Sequence, residues 1–151
     1  MGDSGPWAKL IHNLAADADF ATGAPTESIA AAERALELAL PSDLAALLRE
    51  TDGVHADLGA SIIWSCAELA QQNTEFRTSE GFRELYMPFD HLLFFGDDGG
   101  GSQFAFAITA DGKISKGDVY RWDHETDGRE WFSGSLRQYL EFRLGPRYYE
   151  R

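Results

Sequence analysis

The chain has 151 residues and a mass of 16.7 kDa, which sets one domain as the default count. Hydrophobic residues make up 44% and aromatics 13%, enough apolar surface for a packed core rather than a disordered coil. Lys plus Arg total 13 against 25 Asp plus Glu, a formal charge of −12 at pH 7, which argues against binding nucleic-acid phosphates or anionic membranes. The imbalance is uneven: residues 1–75 carry 12 acids and 3 bases, and residues 76–151 carry 13 acids and 10 bases. An acidic face of this kind suits a basic partner. The single cysteine, Cys66, can form no intramolecular disulfide and no thiolate metal site alone, and its neighbours Ser65 and Ala67 are bland, so it reads as a small buried hydrophobe. The N-terminus lacks a basic region followed by an apolar stretch, and Pro6 stands where a myristoylation pattern needs Ser or Thr. With no window near the ~18 apolar residues of a membrane span, the expectation is a cytoplasmic protein in a reducing compartment.

Pro6 stands just after Ser4, as a first-turn proline does, and Trp7, Leu10, Ile11 and Leu14 follow at helical spacing, predicting a helix that ends near Asp19. Thr22-Gly23-Ala24-Pro25 breaks it. A second helix starts at Thr26 or Ser28, with Ile29, Ala32, Leu36 and Leu40 on one face, and Pro41 stops it. Ser42-Asp43 caps a third helix carrying Leu44, Leu47 and Leu48, with Gly53 as its stop. The period then changes. Val54–Leu58 and Ser61–Ser65 read as short strands joined at Gly59, followed by a helix from Cys66 to about Phe76 with Leu69 inward. The stretch Thr78–Tyr86 is ambiguous, and Pro88 ends it.

Leu92–Phe95 has strand character, Asp97 to Ser102 is a turn, and Gln103–Thr109 alternates with Phe104, Phe106 and Ile108 on one face. Asp111-Gly112 signals a hairpin into a strand over Ile114–Trp122. His124–Arg129 is a polar loop closed by Asp127-Gly128, and Glu130–Phe132 a last short strand. Ser133 or Ser135 caps a final helix with Leu136, Tyr139, Leu140 and Leu144 at helical spacing, ended by Gly145-Pro146. Helices, an antiparallel meander and a closing helix make the class α+β, because hairpin-length connections between the later strands exclude a parallel βαβ sheet.

No motif carries catalysis. Gly99-Gly100-Gly101 follows two carboxylates, has no Lys after it and leads into a strand, so it is a tight turn and not a phosphate cradle. Asp123-His124-Glu125-Thr126-Asp127-Gly128 resembles the first half of an EF-hand loop, but Gly134 stands where the bidentate Glu belongs, which leaves a solvated acidic turn. A metal-dependent hydrolase could draw on Asp97, Asp98, Asp118, Asp123, His91 and His124, yet none of their spacings is diagnostic. Ser133-Gly134-Ser135 lacks the flanking glycines of a nucleophile elbow. No catalytic residue, metal ligand or cofactor is expected.

Leu40-Pro41-Ser42-Asp43-Leu44, Leu47-Leu48 and Asp52-Gly53, in that order, resemble the opening motif of the SUKH superfamily. The tract Leu92-Leu93-Phe94-Phe95-Gly96-Asp97-Asp98-Gly99-Gly100-Gly101-Ser102-Gln103-Phe104 is similar to its central motif. Val119-Tyr120-Arg121-Trp122-Asp123-His124-Glu125 and Ser135-Leu136-Arg137-Gln138-Tyr139-Leu140 resemble its later strand and closing helix. The likeness covers roughly residues 29 to 143 and divides the chain into an N-terminal helical extension over 1–25, a SUKH-like domain over 26–145 and a tail over 146–151.

The resemblance implies an α+β binding scaffold and no enzyme. The superfamily includes bacterial immunity proteins that neutralise polymorphic toxins, and fungal regulators of cell-wall synthesis and killer-toxin resistance. It implies an immunity protein that blocks a basic nuclease or deaminase domain, or a regulatory adaptor with a cellular protein partner. With the −12 charge, steering would speed encounter by roughly 10–10³-fold. The expected partner contacts are Asp97, Asp98, Asp123, Glu125 and Asp127, with Trp122 as an exposed aromatic anchor.

Overall fold

The structure, a computed structural model, describes residues 5–56 and 60–145. Its elements in chain order are α1 (Pro6–Leu14), β1 (Asp19–Phe20), α2 (Thr26–Leu36), α3 (Ser42–Glu50), β2 (Val54–His55), β3 (Ser61–Ile63), α4 (Cys66–Thr78), α5 (Glu80–Leu85), β4 (Leu92–Asp97), β5 (Gln103–Ala107), β6 (Val119–Trp122), β7 (Arg129–Ser133) and α6 (Leu136–Leu144). The α+β class with a closing helix is as expected. Its strands form two antiparallel ladders rather than one, β1-β2-β3 and the meander β4-β5-β6-β7. Ser4, the turn at Gly59 and the tail over 146–151 lie outside the described residues.

The helices follow their apolar faces. Ala8 and Ile11 of α1, Ile29, Ala32 and Leu36 of α2, and Leu44, Ala45, Leu47 and Leu48 of α3 are all buried. Gly5, at the N-cap of α1, gives no side-chain cap; the Glu50 carboxylate at the end of α3 accepts from Ala8 N at 2.8 Å and Trp7 N at 3.4 Å instead. A negative group there also suits the positive end of the helix dipole. Helix α1 stops at Leu14, short of the expected end, and Asp19-Phe20 extends to pair with His55 and Val54. Helix α2 stops at Leu36 because Glu37 turns left-handed at φ 51°, so Leu38 N can donate to Glu33 O at 3.0 Å.

Strands β4 and β5 of the meander are buried on both faces. On one, Phe94 of β4 and Trp122 of β6 pack against Phe76 of α4 and Phe89. On the other, Phe95 stacks on Phe106, and Phe95 and Phe104 pack against Tyr139 of α6. These rings are fully or almost fully removed from water, and each contributes about 1.5–3 kcal/mol of transfer free energy. Strand 114–122 of the expectation shrinks to Val119–Trp122. Thr109 closes the turn early, its N–H donating to Lys113 O at 2.9 Å and its hydroxyl to the same oxygen at 2.8 Å, so residues 114–118 leave the ladder.

The two ladders meet along β4. Trp64 N, just past β3, donates to Phe95 O at 2.8 Å. The Asn73 side chain acts as a substitute strand beside it: its amide nitrogen donates to Phe94 O and its oxygen accepts from Phe94 N, both at 2.8 Å. A β-bulge at Phe94/Gly96 brings Gly96 against β3, where a Cβ would collide with Ile62 O. Tyr139 Oη donates to that same carbonyl at 2.7 Å and ties α6 to the seam.

Candidate partner-binding surface

The β4–β5 and β6–β7 turns lie at the same end of the meander and touch. The His124 ring sits over Gly101, whose φ of 109° no β-carbon would tolerate readily, and Ser102 Oγ approaches His124 Nδ1 at 3.4 Å. The loop after α5 leans on the β6–β7 turn, since Tyr86 Oη donates to His124 O at 2.8 Å and Met87 N to Asp127 Oδ2 at 2.9 Å.

The six residues expected at this end divide sharply. Asp97 is a structural staple. Its Oδ1 accepts from Ser61 N at 3.3 Å and Gly99 N at 3.0 Å, and its Oδ2 accepts from the Trp64 indole at 2.9 Å. Trp122 is 3% exposed, so the expectation of an exposed anchor there is corrected. Strand alternation turns its ring toward Phe76, Phe89 and Phe94, and its indole N–H donates to Asp127 Oδ1 at 2.7 Å. Asp127 is mostly buried, at a positive φ of 61°. Burial pushes its carboxyl up, but donors from Met87 N, the Trp122 indole and the Arg129 guanidinium outweigh that and hold it below the usual carboxylate range.

Asp123 and Glu125 are left at the tips, and Asp98 lies beside them, largely covered and paired with Arg121. Asp98 Oδ1 accepts from Gly100 N at 2.8 Å and Ser102 N at 3.2 Å, a local turn that leaves Oδ2 facing Arg121 at 3.4 Å. Asp123 Oδ1 accepts from Glu125 N at 2.9 Å, with Oδ2 at 4.0 Å from Arg121. Glu125 is exposed. The Asp98 and Asp123 carboxylates are fixed by backbone donors rather than swinging freely, so little of their ordering entropy is lost when a partner meets them.

Arg129 anchors the neighbouring loop. Its guanidinium donates to Met87 O, Pro88 O and Asp127 Oδ1 at 2.8–2.9 Å, lies 2.9 Å from His91 Nε2 and stacks over the Phe89 ring at 4.7 Å. Partial burial and the adjacent guanidinium lower the His91 pKa against the opposing pull of Asp90 and Asp127. Beside this clamp the surface turns apolar. Leu85 is 72% exposed, Met87 66% and Trp131, on β7, 57%. Sequence reasoning missed all three. For Trp131 the signal was present: adjacent Trp131 and Phe132 in a strand must face opposite ways, and Phe132 is the one that packs on Tyr139.

Among the described residues, no three or more His, Cys, Asp or Glu side chains converge as a metal group. In the acidic loop at 123–128, Asp123 Oδ1 is turned to the Glu125 amide, and both Asp127 oxygens are taken by Met87 N, the Trp122 indole and Arg129. Cys66 is buried, its thiol pushed up to about 12 by burial and by Asp52 beside it, which leaves it protonated and inert. No helix among the described residues is long and apolar enough to cross a membrane.

The profile of the SMI1-KNR4 cell-wall family, SUKH_6, matches residues 26–140. No curated protein matches the chain.

Proposed function

The chain belongs to the SMI1-KNR4 (SUKH) family, and from that premise we propose that it is a non-enzymatic immunity protein that neutralises a cognate basic toxin domain, of nuclease or deaminase type, by direct binding. The observation that carries this is the acidic end of the meander, where Asp98 and Asp123 are held in turns next to exposed Glu125 and the β6–β7 turn holds the loop that carries exposed Met87. A cationic substrate groove is the complement of such an end: carboxylates take the places of phosphates, and the apolar side chain excludes water at the contact. Asp97, Trp122 and Asp127 support this end from below, as the staple and clamp that hold its turns.

The test is co-expression with the toxin domain encoded beside this gene. Cells should survive, and the two purified proteins should form a one-to-one complex whose association slows as salt rises. Glu125→Lys should slow association by about tenfold at low salt, with dissociation little changed. Growth arrest despite full expression, with no complex, rules the proposal out. The second reading is a regulatory adaptor, favoured by the cell-wall designation of the family. It requires a cellular protein partner and no toxin gene alongside.

A further inference from the structure

Tyr120 and Trp131 are direct cross-strand partners in the β6–β7 ladder, so their side chains rise from the same face of the sheet. Ala105 continues this row on β5 and is covered, whereas Tyr120 is half-buried and Trp131 exposed. Beside the row lies a cavity of about 220 Å³ lined by Ala107, Thr109, Ser115, Lys116, Asp118 and Tyr120. Asp118 Oδ1 and Trp131 Cζ2 lie 3.9 and 3.8 Å from the point where a Cβ on Gly134 would stand, so the carboxylate and the indole both border that point, together with Gln138 Oε1 at 3.6 Å. Asp118 makes no hydrogen bond and no ion pair among the described residues, although it is only partly exposed.

A free carboxylate beside two aromatic rings is a cation receptor. The rings attract positive charge through their faces and the carboxylate binds it directly. A guanidinium satisfies both demands better than an ammonium, because it is planar, stacks on rings and offers paired donors. The fold already contains one such arrangement, with Arg129 between the Phe89 ring and the Asp127 carboxylate. At Trp131 the ring and the acid are present and the guanidinium is not. Anionic ligands are disfavoured by Asp118, and a purely apolar anchor would strand it.

We infer that Trp131, Tyr120 and Asp118 form the receptor for one arginine side chain of a basic protein partner. The inference rests on the binding role proposed above and adds a specific contact to it. Trp131 stands two residues into β7, which leads directly out of the acidic β6–β7 turn, so a single partner surface reaches both this receptor and that turn. Lys116, on the cavity wall and without an ion pair, is an internal competitor for Asp118.

The test has two arms on the full chain. In the first, the indole N–H signal of Trp131, identified by its loss in Trp131→Phe, is followed by nuclear magnetic resonance during titration with acetyl-Gly-Arg-Gly-amide. The peptide should shift it saturably in the millimolar range, and the citrulline analogue, isosteric but neutral, should not. Asp118→Asn should weaken the response by about threefold to tenfold, and Lys116→Gln should strengthen it. No shift, or an equal shift with citrulline, overturns the inference. In the second, Trp131→Ala and Asp118→Asn, each checked for an unchanged melting temperature, are tested for protection against the neighbouring toxin. Protection by the parent chain that both variants lose supports the receptor. Protection that both variants keep overturns it and leaves the immunity role standing. If the parent chain itself fails to protect, the immunity role falls and the peptide arm alone decides the receptor.

Discussion

Asp97 accepts three hydrogen bonds, from Gly99 two residues away and from Ser61 and Trp64 across the seam between the ladders. Removing its carboxylate in Asp97→Ala orphans the indole N–H of Trp64, which is buried, and should lower stability by about 2–3 kcal/mol in urea denaturation. Glu125→Ala, at an exposed tip, should stay within about 0.5 kcal/mol of the parent. Both acids stand in acidic turns of the sequence and look alike there. What separates them is contact with groups more than thirty residues away, which no local pattern records. Trp122 was misplaced for the same kind of reason: a tryptophan at the end of a strand faces in or out according to whether a helix covers that face, and α4 does. The turn character of Asp98 and Asp123 was legible, because an Asx turn needs only donors two to four residues on.

The apolar spacing placed α3 well, but Ser42 stands inside the helix with Pro41 at an N-cap that has no side-chain bond, and the helix ends at Glu50, before the expected stop at Gly53. The two-residue strand β1 was not legible: it exists only through its pairing with His55 and Val54, and its own sequence carries no alternation to detect. Ser65, bland in sequence, begins α4 with a full capping box, its hydroxyl accepting from Glu68 N at 3.2 Å and the Glu68 carboxylate from Ser65 N at 3.0 Å. Ser65→Ala should therefore cost about 1 kcal/mol, measured as a fall in the denaturation midpoint with an unchanged slope. At the end of α2 the sign reverses. Glu37 occupies a left-handed conformation with no β-carbon advantage, so Glu37→Gly should raise stability by up to about 1 kcal/mol. Asp127 has a similar φ, but Asp127→Gly should destabilise, because three donors lose their acceptor at once.

At the scale of the whole molecule, the −12 charge and the specific titrations act in opposite directions on acidification. Protonating exposed carboxylates relieves self-repulsion, which favours the folded chain as pH falls. His91 works against this. Its pKa is lowered in the folded state, so the unfolded chain takes up the proton first, and the stability owed to neutral His91 is lost as pH falls from about 7.5 through the ordinary histidine value toward its folded pKa. Protonated His91 can no longer accept from Arg129, and it places a second positive charge against that guanidinium, which loosens the clamp on Met87 and Pro88. Asp127 adds a further loss at lower pH, since its depressed carboxyl contributes stability above the usual aspartate range and loses it as pH drops through its folded pKa. Comparing the parent chain with His91→Gln separates these effects, because the remaining charge is common to both. Urea midpoints measured from pH 8 to pH 5 at constant ionic strength should show the parent losing its advantage over the variant as pH falls past about 6.5. A difference between the two that stays constant across this range would mean that His91 does not control the clamp. The loop carrying Met87 would then hold its position in acid, and binding of a basic partner would keep its apolar contact there.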